Sequence, residues 1–147
     1  MSSYFQLFDG PLSGMMRWPQ WEALLDKLNQ DNDGGWFIYY VGEAVPENPL
    51  QPDAFRHFLN ELDTMLRHDH QEEYFGIAYV DDMAKPTFVK IYDPNNLGSA
   101  CGSSVQKVLP GWTISRAVPA DLQATVHNPG GRRRWWQALF SKDRPHA

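Results

Sequence analysis

The sequence predicts an α+β fold, a two-layer arrangement in which a mostly antiparallel sheet of about four strands carries two amphipathic helices, with a short C-terminal helix beyond it. Three observations lead there. Two segments repeat apolar residues with helical spacing, two runs separated by a short polar turn have the form of a hairpin, and 147 residues suit a single core.

Residues 1–18 mix Gly, Pro and Ser with Tyr4, Phe5, Leu7 and Phe8, too irregular for an amphipathic element and too apolar for a linker. They are expected to form an N-terminal extension lying against the domain, and Met15 and Met16 leave room for a later translation start. From Pro19 the pattern becomes helical, with Trp21, Leu24, Leu25 and Leu28 at i, i+3, i+4 and i+7. Asp33-Gly34-Gly35 ends it. The continuous run Trp36 to Val41 is aromatic and β-branched, as expected of a strand buried on both faces and central in the sheet.

Pro46, Pro49 and Pro52 interrupt residues 42–52 and mark an exposed connection, after which Pro52 suits a helix start. Phe55, Phe58, Leu59, Leu62, Met65 and Leu66 then line one helical face, leaving Arg56, Asn60, Glu61, Asp63 and Thr64 outward. The crossover through this helix allows one parallel strand pair. Glu73–Val80 and Thr87–Tyr92 read as an antiparallel hairpin around residues 81–86. A long Gly/Ser stretch from Asp93 to Gly111 precedes a last strand over Trp112–Ala117, and Pro119 to Leu122 can start a short helix. Asn128-Pro129-Gly130-Gly131 breaks the chain before its tail, so the body is predicted over residues 19–126 and the tail over 127–147.

Composition bounds the class. With 42% hydrophobic, 14% aromatic and 21% charged residues, the chain can build a core without staples. The lone Cys101 cannot form an internal disulfide, residues 1–18 carry no signal-peptide pattern, and no apolar run spans a bilayer, so a cytoplasmic location is expected. The net charge of −5 is uneven. Residues 1–131 carry 8 basic and 17 acidic side chains, and residues 132–147 carry 5 and 1. An acidic body repels phosphate, which argues against nucleic-acid binding.

Three segments could carry chemistry. The first is the stretch from Asp93 to Ser104, where Asp93, Asn95, Asn96, Ser99, Cys101 and Ser103 supply small polar groups and backbone N–H donors suited to an anion. A thiolate at Cys101 would need a base, and His127 is the nearest histidine in sequence. The simpler reading of the same loop is an uncharged ordered connection with Cys101 as an apolar plug. The second is His68-Asp69-His70 with Glu72 and Glu73, a dense donor set for a divalent metal. Histidines two apart on a helix point about 200° from each other, so only a turn after the helix end could unite His68 and His70. A solvated helix end explains them as well.

The third is the tail. Arg132, Arg133 and Arg134 precede Trp135, Trp136, Leu139 and Phe140, which as a helix form a broad apolar face beside basic residues. Such a helix can anchor a protein interface, touch a membrane surface weakly, or pack back on its own domain. No motif for a cofactor occurs. These residues together predict a small intracellular accessory or regulatory protein that binds a protein partner and is not an enzyme, with a small-anion or thiol-dependent site centred on Cys101 as the alternative.

Overall fold

The computed structural model describes residues 3–95, 109–122 and 130–140. In chain order the elements are α1 (Tyr4–Asp9), β1 (Ser13–Arg17), α2 (Trp18–Gln30), β2 (Phe37–Tyr40), α3 (Pro52–Asp69), β3 (Tyr74–Val80), β4 (Phe88–Ile91), β5 (Trp112–Ser115) and α4 (Gly130–Leu139). The fold is α+β. Among the described residues, five strands form one antiparallel sheet in the order β1-β3-β4-β5-β2.

The sheet has five strands and not about four, because the segment expected to lie against the domain pairs with it. Ser13, Gly14 and Met15 stand opposite Val80, Tyr79 and Ala78, and only Met15 of β1 is buried. So short a strand with one inward side chain has almost no period to read. The crossover allowed one parallel pair, and among the described residues every strand pair is antiparallel. From the end of β2 the chain runs back along that strand, where the Leu50 N–H donates to the Trp36 carbonyl, and α3 then returns it to the start of β3.

One face of the sheet holds the main core. Trp21, Leu24 and Leu28 of α2 and Phe55, Phe58, Leu59, Leu62, Met65 and Leu66 of α3 pack on Ile38, Tyr40, Val89, Ile91, Trp112 and Ile114. The spacing that predicted both helices is thus the spacing of their buried residues. Asp63, expected outward, instead accepts from Trp21 Nε1 at 2.9 Å and from Arg67, tying α3 to α2. On the opposite face Tyr39, Val41 and Phe88 meet Tyr4, Leu7 and Phe8 of α1, together with Ala117, Ala120 and Leu122. Pro119–Leu122 is irregular and serves as part of this cover, with no helical turn.

β2 is an edge strand, contrary to its predicted central place. Every residue of it is buried nonetheless, since Ile38 and Tyr40 enter the helix-side core while Tyr39 enters the cluster beneath α1. In β3 the pleat changes phase. Arg17 pairs with Tyr74 although Met15 pairs with Ala78, so extra residues are taken up between Tyr74 and Ala78, a stretch that contains Gly76 with φ of 61°. Phe75 and Ile77, as well as Ala78 and Val80, therefore all belong to the helix-side core.

Candidate functional site

The antiparallel order brings the end of β2, the start of β3, the end of β4 and the start of β5 to one end of the sheet. Helix α3 ends there too. At this end lies Asp93, 3% exposed, two residues beyond β4. One of its oxygens accepts the Asn95 N–H at 2.9 Å, which turns the chain away from the sheet. Gly111 backs it closely, since a Cβ at that position would stand 3.2 Å from the Asp93 Cβ.

A carboxylate this buried requires a partner. Arg132 of α4 supplies it. Its Nε donates to Asp93 Oδ2 at 2.9 Å and its Nη2 to Oδ1 at 3.1 Å, the two-pronged geometry for which a guanidinium is shaped. The same Nη2 donates to Asp69 Oδ2 at 2.6 Å, at the last residue of α3. Asp69 also contacts His68 Nδ1 at 2.7 Å. Burial pushes the Asp69 carboxyl up, but the hydrogen bonds from His68 and Arg132 outweigh it and hold its pKa below the ordinary carboxylate value. Arg132 itself is only 8% exposed, so this is a buried ion cluster of two carboxylates around one guanidinium.

The rest of α4 follows from Arg132. Trp135, Trp136 and Leu139 stand at i+3, i+4 and i+7 from it, on the same face. Trp135 meets Trp112 edge-on with ring centres 5.8 Å apart, while Trp136 lies 5.3 Å from Tyr40 and 6.1 Å from Phe58. Phe140 closes on Trp136 at 4.9 Å, and Leu139 packs against the same core. On the other side of the helix Arg133 pairs with Glu43 at 3.3 Å, and Arg134 and Gln137 are exposed. The helix is therefore fastened to the acidic body by its first arginine and its aromatic stripe.

The fit leaves two polar atoms over. The Tyr40 hydroxyl and the Trp112 Nε1 are buried and have no hydrogen-bond partner among the described residues. Their rings stack at 5.5 Å, each touching one tryptophan of α4. Burial, reinforced by the Asp93 carboxylate, raises the Tyr40 pKa and keeps the hydroxyl a neutral donor. Each unused donor costs about 1–3 kcal/mol relative to a satisfied one.

Compared with family models, curated proteins and solved structures, the chain finds no significant match in any of the three. The site must be judged on its own chemistry.

Of the predicted site residues, the structure unites Asp93 with Arg132, two that the sequence assigned to different segments. Asn95 contributes only its backbone N–H to Asp93. Asn96, Ser99, Cys101, Ser103 and His127 lie outside the described residues. His68 and His70 diverge. His68 turns to Asp69, whereas His70 Nε2 donates to the carbonyls of Phe75 at 2.8 Å and Tyr74 at 3.0 Å. Among the described residues no three His, Cys, Asp or Glu side chains come together as a metal site, and no helix is long and apolar enough to cross a membrane. Tyr40, Trp112 and Glu43 were not singled out from the sequence. Their signal was only that an acidic body with buried aromatics faces a basic aromatic helix.

Proposed function

We propose that this chain is a non-catalytic accessory or regulatory domain that binds a protein partner at the α4 end of its sheet. The observation that carries this reading is the division of labour along one short helix. Arg132 is consumed in the interior, while Arg134 and the neutral Gln137 project outward beside the half-exposed Arg133, which pairs with Glu43, so that this face presents arginine on a chain of net charge −5. Arginine is favoured at protein interfaces because its planar fork can satisfy several acceptors at once.

The test is a photo-crosslinking residue placed at Arg134 of the full chain in living cells, with one at Lys85, in the loop between β3 and β4, as the reference. A discrete crosslinked partner at position 134, lost when Arg133→Glu and Gln137→Glu are added, supports the reading. Equal labelling at both positions, or labelling that ignores the added acidic charges, overturns it.

A further inference from the structure

We infer that the surface beneath α4 is itself a receptor for a basic aromatic helix of a protein partner, and that α4 occupies it in cis as a displaceable stand-in. The inference rests on the reading that this end of the molecule meets a partner, but its test uses no cellular partner.

Three observations support it. First, the surface is complementary to one kind of ligand. Asp69, Asp93 and Glu43 provide acidic points, and Tyr40, Trp112 and Phe58 provide ring faces and edges between them. A helix with an arginine followed three and four residues later by aromatic side chains meets the acids and the rings together, as α4 does. Second, α4 is an incomplete ligand. Its tryptophans lie against the Tyr40 and Trp112 rings, yet the buried Tyr40 hydroxyl and Trp112 Nε1 have no acceptor among the described residues. A partner helix offering a carbonyl, hydroxyl or amide oxygen at those points would hold the same surface better than α4, because it would satisfy donors that stay unused while α4 is docked. Third, α4 has limited means of its own. It spans only 10 residues, begins with two glycines and keeps Trp135 and Trp136 partly exposed, so its hold depends on the Arg132 cluster and the aromatic stripe and little on intrinsic helix stability.

The consequence is a competition. While α4 is docked, the acids are paired and the rings are in contact with its tryptophans. When a partner helix replaces it, Arg132, Trp135 and Trp136 are released together, so occupancy of the surface and presentation of the basic aromatic segment exclude each other.

The experiment uses the full chain and a fluorescein-labelled synthetic peptide with the sequence of residues 130–140. Trp135→Ala with Trp136→Ala in the chain loosens α4 without leaving Asp93 unpaired. Fluorescence anisotropy is expected to show the peptide binding this variant at least tenfold tighter than the wild-type chain, with binding abolished when the peptide carries Arg132→Glu. Three results overturn the inference. These are equal affinity for the variant and the wild type, undiminished binding of the charge-reversed peptide, and a variant that dimerises by exchanging α4, which would make a second copy the occupant. Should the double variant fail to fold by circular dichroism, Leu139→Ala loosens the far end of the helix, and the same comparison decides. Failure of the crosslinking experiment with success here would remove the outward-facing patch as an interface and leave the receptor surface standing.

Discussion

At the scale of single residues, the cost of a polar group depends on its partner and not on its depth. Tyr4 and Tyr40 are both buried, and burial raises the pKa of both. The Tyr4 hydroxyl shares a hydrogen bond of 2.7 Å with Thr113, whereas the Tyr40 hydroxyl is unpartnered among the described residues. Tyr4→Phe is therefore expected to destabilise the chain by about 1 kcal/mol, and Tyr40→Phe to be neutral or slightly stabilising, in urea unfolding. Equal losses in the two variants would contradict this. Asp69 provides a pH prediction. Folding lowers its pKa, so its contribution is fully present above the ordinary carboxylate value and is lost as the pH falls through the lower, folded value. Thermal melts from about pH 5 to pH 2 should show a shallower acid decline for Asp69→Asn than for the wild type. An unchanged slope would mean that the carboxylate does not hold Arg132 in solution.

At the scale of elements, what could be read from the sequence depended on how many side chains reported the same thing. α2 and α3 declare themselves through repeated apolar spacing, and the hairpin of β3 and β4 through two apolar runs around a polar turn. β1 has one buried side chain and so escaped notice. β2 lies at the edge although its sequence suits the centre. Its continuous apolar run records burial of both faces, and a cover on each face produces that at an edge as well as in the middle. Asp63 shows the same limit, since an acidic residue on the polar side of a helical pattern can still reach an indole on a neighbour. The phase change in β3 depends on Gly76, whose φ of 61° strains any side-chain-bearing residue. The nearby Tyr74 ring is exposed and can swing aside, so the backbone term decides. Gly76→Ala should lower stability by about 1–3 kcal/mol, and a change within experimental error would show that the bulge relaxes.

At the scale of the whole molecule, the site is an arrangement that no local pattern encodes. Asp69, Asp93 and Arg132 are separated by 24 and 39 positions in sequence, and only the sheet order places the ends of α3 and β4 beside the start of α4. The sequence did carry the two halves of the relationship, an acidic body and an Arg/Trp segment, and it allowed the segment to pack back or to dock outward. The structure shows Arg132, Trp135, Trp136, Leu139 and Phe140 packed against the body, with Arg134 outward. Arg132 and Asp93 fasten α4 to the sheet as a unit. A double-mutant cycle of Arg132→Met and Asp93→Asn, followed by urea unfolding of the full chain, tests it most directly. Each single change is expected to be costly and the pair to cost less than the two together, with a coupling of about 2–3 kcal/mol. Additivity to within about 0.5 kcal/mol would contradict it, because residues that do not meet in the folded protein have nothing to share.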